Sequence, residues 1–261
     1  MAHKEIYEHY HPDEKSFVDR AWEWVERAAL YHEMKRTDFL DPRQAYILSS
    51  LANRHPDVHI RLDGGYPDAE RRRALIAPDY RRLEDEEMGI AVLDIASDDR
   101  RVSELDHGDY LGALLGVGIK RDLIGDLHVS DTGCHALVVE GIGDFLIGHM
   151  KQAHRLDVSV SVRPLAELRV VAAKLEEQVL SVASMRLDGI ASDVFRLSRA
   201  KIVDPIRAGK CRVNWKAEED PSQPLKAGDV VSMKGLGRFK VVEVEGVSKS
   251  GRTRVRIGKF V

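Results

Sequence analysis

RLDGIASDVFRLSRAKIVDPIRAGKCRVNWK, residues 186–216, is the stretch on which the fold turns. Leu187, Ile190, Ala191 and Val194 recur at i, i+3, i+4 and i+7, the spacing of a one-faced helix. Ser198 is a natural N-cap for a second short helix, with Ile202, Val203 and Ile206 on its buried side. Gly209 is placed to stop that helix in the left-handed conformation. Pro205 lies inside it and removes a hydrogen bond, which typically costs about 3 kcal/mol, so a kinked or shortened helix is expected. From 210 to 216 the alternation is strict. Cys211, Val213 and Trp215 fall on one face of a predicted strand, and Lys210, Arg212, Asn214 and Lys216 on the other. Three cations and an amide donor in a row suit phosphate and sugar oxygens, although an ordinary solvated strand face has the same composition.

Downstream, Gly228-Asp229 turns into a strand at 230–233, and Lys234-Gly235-Leu236-Gly237-Arg238 makes a tight basic turn. A strand at 239–244 and a hairpin closure at 246–251 follow. Arg252, Arg254 and Arg256 alternate with Thr253, Val255 and Ile257, which predicts a second basic strand face. Charge is divided along the chain in the same sense. Residues 181–261 carry 17 Lys+Arg against 9 Asp+Glu, whereas 1–180 carry 23 against 34 and all 11 histidines. The basic third points to a polyanionic partner, and the acidic part could receive a protein.

Upstream, Phe17, Ala21, Trp24, Val25 and Ala28 keep helical spacing. Asp41-Pro42 should start a second helix carrying Ala45, Ile47, Leu48 and Leu51, and Gly64-Gly65-Tyr66-Pro67 a turn. Strands are expected at 72–77, 89–96, 126–130, 135–140 and 158–162, with helices after Asp106 and over 143–153. Strands interleaved with two helices suggest a small ferredoxin-like α/β sandwich. Pro164 interrupts the pattern, and 165–182 reads as a connecting helix. The expected organisation is α+β: a helical segment over 1–70, the sandwich over 71–164, the connecting helix over 165–182, and two helices with a small sheet over 183–261.

The 186–216 stretch resembles the ribosomal protein S4 domain, or alpha-L RNA-binding motif. Arg186-Leu187-Asp188, Ser198-Arg199, Gly209 and Val213-Asn214 carry the likeness, with Lys226-Ala227-Gly228-Asp229-Val230-Val231 and Gly235-Leu236-Gly237-Arg238 in its second half. It spans roughly 185–240. Trp215 departs from the pattern, standing where many such domains have Gly. The chain as a whole resembles the bacterial YlmH-like RNA-binding proteins. Met34-Lys35-Arg36-Thr37-Asp38-Phe39-Leu40-Asp41-Pro42, Gly64-Gly65-Tyr66 with Ala69-Glu70-Arg71, and Asp106-His107 with the run 111–121 carry this second likeness, and Asn214-Trp215-Lys216 is similar to that branch too. Similar proteins of photosynthetic bacteria are named for photosystem II.

The resemblance implies a non-catalytic, ribosome-associated protein. It would bind structured RNA (ribosomal RNA, tRNA) on the large ribosomal subunit, with roles in translation quality control, that is, rescue of stalled translation, or in cell division. RNA would be held on a single basic face built from the second helix and the first strand. Arg199 and Lys201 sit near a helix N-terminus that itself attracts phosphate. Lys210, Arg212, Asn214 and Lys216 extend the face, and Arg186, Arg196, Ser198, Arg207 and Arg238 complete the candidate set. Charge reversal at Arg199 and Lys201 is expected to abolish RNA binding with the fold intact.

Other chemistry has less behind it. Arg61-Leu62-Asp63-Gly64 is similar to the catalytic segment of pseudouridine synthases, but the same tetrapeptide recurs at 186–189, and Asp63 serves a Gly64-Gly65 turn equally well. Gly112, Gly116 and Gly118 form no phosphate-binding fingerprint, and no Gly-x-Ser-x-Gly elbow occurs. His9, His11 and Asp13 could ligate a metal, yet fit a polar helix lead-in better, so no cofactor or metal is expected. Arg71-Arg72-Arg73 offers a second RNA contact or a solvated face. An assembly or scaffold factor acting through a protein partner is the alternative reading. Two distant cysteines, a polar start and no run of 18 apolar residues place the chain in the cytoplasm without a membrane span.

Overall fold

Asp41 and Pro42 start the second helix where the sequence places it. A computed structural model describes residue 7, residues 10–247 and residues 251–260. Helix α1 (Lys15–Tyr31) and helix α2 (Pro42–Ala52) pack together, α2 opened by an Asp41 capping box with Pro42 at its first position. His9 lies outside the described residues; His11 caps the turn before α1. Both helices lie on a three-stranded antiparallel sheet of β1 (Lys35–Arg36), β2 (Val58–Asp63) and β3 (Arg73–Pro78), in the order β1-β3-β2. Phe17, Val25, Leu48, Leu51 and Ile76 close the core between them.

Two expectations change here. Strand β2 was not among the expected strands, although Val58, Ile60 and Leu62 alternate with His59, Arg61 and Asp63 at strand period. Its pairing with β3, from Val58↔Pro78 to Asp63↔Arg73, also crosses residue 70, so the first boundary cannot fall there. The arginine triplet is not a solvated face: Arg73 is buried, and Arg71 and Arg72 are partly buried. Arg73 is 5% exposed and donates to the carbonyls of Thr37, Met88 and Gly89. Arg71 donates to the carbonyls of Ile124 and Phe39, and Arg72 to that of Ala69. Asp126 binds the loop before β3, accepting from Tyr66 Oη and from the amides of Glu70 and Arg71. Asp63 shapes its turn, accepting from the Gly65 amide at 2.8 Å.

The sandwich follows as β4 (Ile90–Ala96), α3 (His107–Gly116), β5 (Ile124–Ser130), β6 (Gly133–Val139), α4 (Gly143–His149) and β9 (Ser159–Arg163), with a small hairpin of β7 (Gln152–Ala153) and β8 (Leu156–Asp157) after α4. The sheet order β5-β6-β4-β9, antiparallel throughout, is the split βαβ arrangement of a ferredoxin-like fold. Helices α3 and α4 cover one face, with Leu93, Ile95, Tyr110, Leu114, Ala136 and Leu146 in the core. The other face holds Phe39, Val92 and Leu137, with Leu168 packed against them.

Residues 164–172 form a strap over that second face, fastened by two histidines. The Arg169 amide donates to His135 Nδ1 and the Val171 amide to His128 Nδ1, both at 3.1 Å. Burial holds the His135 imidazole below its ordinary range, opposed by Asp94 at 3.5 Å and reinforced by Arg169, His128 and Arg163. The folded state therefore binds fewer protons than the unfolded one below about pH 6.5, and stability falls as pH drops through that value. Protonation also removes the Nδ1 acceptor. The protection factor of the Arg169 amide should fall between about pH 7.5 and 5.5 relative to those of the α2 amides; an equal change at both would contradict this.

Residues 173–261 form a second unit. The expected connecting helix over 165–182 is absent: a short 3-10 turn spans Leu165–Glu167, and Leu175–Val182 is strand β10. It pairs with β15 (Thr253–Phe260) from Leu175↔Phe260 to Val182↔Thr253. Its apolar residues fit either period, and a long partner strand decides the outcome. The six-stranded antiparallel order is β10-β15-β14-β13-β11-β12, with β11 (Cys211–Val213), β12 (Lys216–Ala217), β13 (Val230–Met233) and β14 (Gly237–Val247). Residues 248–250 of the β14–β15 connection lie outside the described residues. Helices α5 (Leu187–Phe195) and α6 (Arg199–Arg207) pack Leu187, Ile190, Val194, Ile202 and Ile206 onto Cys211, Val231, Phe239, Val241 and Ile257. Ser198 caps α6, Pro205 sits in its last turn, and Gly209 takes φ +67°. Burial pushes the thiols of Cys134 and Cys211 up to about 12, which keeps them protonated. Among the described residues no helix is long and apolar enough to cross a membrane.

Candidate nucleic-acid interface

Where α5 and α6 begin, one buried carboxylate holds two of the predicted RNA ligands. Asp188 is 3% exposed. Arg186 donates to it from Nε and Nη2 at 3.2 and 3.1 Å, and Arg199 from the same two nitrogens at 3.0 and 2.8 Å. Burial alone would raise the Asp188 carboxyl, but the hydrogen bonds from Arg186 and Arg199 outweigh it and hold the group at about 2. The cluster carries one net positive charge, with two guanidiniums fixed in direction. Arg199→Glu would therefore press a carboxylate onto Asp188. The Arg199/Lys201 reversal is therefore expected to disturb the fold as well as RNA binding. Arg196 ends α5 in the left-handed region at φ +53° and is exposed, and the Ser198 hydroxyl oxygen accepts from the Lys201 amide at 3.4 Å. Lys201 and Arg207 are exposed on α6.

The predicted seven-residue strand folds back on itself. Val213 pairs with Lys216, and Asn214 and Trp215 between them take φ +49° and +65°. Positive φ at both central residues is the type I′ hairpin geometry, for which Asn-Gly is the preferred pair. Asn214 fits: its amide donates to Asp229 Oδ1 at 2.8 Å and accepts from the Val230 amide at 2.9 Å, pinning the hairpin to β13. Trp215 does not fit, because a bulky residue in this region costs about 1–2 kcal/mol. Its carbonyl accepts from Arg212 Nη1 at 2.9 Å.

Register assigns the rest. Arg212 stands opposite Ser232, and Ser232 opposite Arg238. One step beyond Lys259, which faces Phe239, comes Phe260 beside Arg238. The row alternates with buried Cys211, Met233 and Phe239, so it lies on the solvent face. The Arg238 guanidinium stands 4.6 Å from the Phe260 ring centroid and 5.4 Å from that of Trp215. Lys210 and Lys240 share this face by alternation. Lys240 was not among the predicted ligands; it follows buried Phe239 on β14 and stands opposite Val230.

The single face shared by the second helix and first strand thus divides. The helices cover the apolar side of the sheet, while Lys210, Arg212, Arg238 and Lys240 occupy the opposite side. Of the second basic face expected from Arg252, Arg254 and Arg256, the last two are ion-paired. Arg256 meets Glu243 and Glu245 at 3.0 and 3.2 Å, Arg254 meets Glu245 at 3.3 Å, and Arg252 donates to the Ser181 carbonyl. Glutamates of β14 stand across from these arginines, a pairing invisible to alternation within one strand.

Residues 13–81 match the family model described as "YlmH, N-terminal", and residues 84–167 the one described as "Putative RNA-binding domain in YlmH". The latter attaches RNA binding to the ferredoxin-like segment, where the sequence reading placed none of its ligands. Over 251 residues the chain is 37% identical to the ribosome-associated protein quality control protein P2 of Bacillus subtilis (strain 168), covering 96% of this chain and 97% of that protein. The solved structure of the cell division protein ylmH from Streptococcus pneumoniae is similar in fold, with a TM-score of 0.54 at 22% identity, covering 62% of this chain and 97% of that one.

Proposed function

The chain belongs to the YlmH family, and we propose that it binds structured RNA, ribosomal RNA or tRNA, at the large ribosomal subunit and acts by binding rather than by catalysis. The observation that carries this is the solvent face of the C-terminal sheet. There Lys210, Arg212, Arg238 and Lys240 interleave with Trp215 and Phe260 and, among the described residues, no acidic side chain forms an ion pair with Lys210, Arg212 or Lys240. Cations of this kind neutralise phosphates and position a ribose-phosphate backbone without reading its sequence. A-form RNA is recognised through such phosphate and 2′-hydroxyl contacts. The arginines held by Asp188 supply a second, pre-oriented pair of donors. The name of the Bacillus subtilis relative, which ties that protein to the ribosome and to quality control, supports the same reading.

Sedimentation of ribosomal subunits through a salt series tests it. The protein should travel with the large subunit at low salt and leave it as salt rises, since each neutralised phosphate releases counterions. Absence from every ribosomal fraction would favour the scaffold reading, with a protein partner on the acidic N-terminal unit.

A further inference from the structure

Trp215 occupies the second central position of its hairpin turn, where glycine would be free of strain, and the ring is partly exposed. Strained backbone persists where the side chain it presents is used. Arg238 stands against the ring at 5.4 Å, and Arg212 anchors the residue's own carbonyl at 2.9 Å. The indole is thereby held in direction, with exposed Arg212 and Lys216 in the same hairpin. An aromatic plane among cations is what an unpaired nucleobase requires: stacking for the base and charge for its flanking phosphates. A paired base inside a duplex offers no face to stack on.

We propose that Trp215 is a stacking platform for a single unpaired nucleobase, a bulge or loop nucleotide next to the duplex held by the basic face, with Arg238 and Arg212 as its positioning residues. This rests on the RNA-binding reading above and specifies what that surface selects.

The test uses the full chain and two RNA hairpins, one fully paired and one identical except for a bulged 2-aminopurine. Wild type should bind the bulged hairpin about tenfold more tightly and quench the probe. Trp215→Gly relieves the turn and should melt no lower than wild type. It should bind the bulged hairpin about tenfold more weakly, without quenching, and the paired hairpin as wild type does. Trp215→Phe should restore part of the preference. Unchanged binding of both hairpins by Trp215→Gly would overturn the proposal and leave the ring to a protein partner. An equal loss on both would overturn it too, making Trp215 a support of the basic face. If wild type binds neither hairpin, the RNA reading fails, and the inference with it.

Discussion

Lys210→Glu combined with Lys240→Glu should lower affinity for structured RNA by about 100-fold near physiological salt, with little change in stability. Both residues lie on the solvent face of the C-terminal sheet by alternation with Cys211 and Phe239, and neither makes an ion pair among the described residues. Reversal therefore breaks nothing internal. Each lost phosphate contact should also flatten the dependence of log affinity on log salt by about 1, so the double variant should lose about 2 from the slope. Filter binding across a salt series measures both quantities. The pair is cleaner than Arg199 and Lys201, because Arg199 is committed to Asp188. Wild-type affinity and slope in the double variant would remove the sheet face from the interface.

Gly133→Ala should be the most damaging single methyl in the molecule. Gly133 opens β6 at φ +146°, a region open essentially to glycine alone. It pairs with Ser130 on one side and Ala96 on the other, in the middle of the ferredoxin-like sheet. An added Cβ would lie 2.1 Å from the Ile95 carbonyl oxygen and 3.1 Å from Ala96 Cα. Both are backbone atoms, so no rotamer change relieves the contact, and β4 must separate from β6. We expect a loss of about 4 kcal/mol or more, the range of exceptional single substitutions, and a Tm lower by about 10 °C or more. Gly112→Ala is the control. It lies in α3 with nothing within 4 Å of the new methyl, and should gain up to about 1 kcal/mol from helix propensity. A Gly133→Ala protein melting within about 2 °C of wild type would show that β6 can rearrange there.

The sequence determined those features whose causes lie within a few residues of one another. Asp41-Pro42, Asp106 and Ser198 open helices where they predict them, because capping is a contact between a side chain and its own next turn. The apolar faces of α5 and α6, and the alternation of βαββαβ that gives the sandwich, were legible for the same reason: period reports which side is buried. The tertiary structure decided whatever depended on a distant partner. Strand or helix at 175–182 was settled by Thr253–Phe260, some seventy residues away. Whether an arginine is available was settled by which carboxylate or carbonyl the fold brought to it: Asp188 for Arg186 and Arg199, Glu243 and Glu245 for Arg256, and the Thr37, Met88 and Gly89 carbonyls for Arg73. A cation's place in the sequence fixes its charge, but only the surroundings built by the whole chain fix whether that charge is left for a ligand.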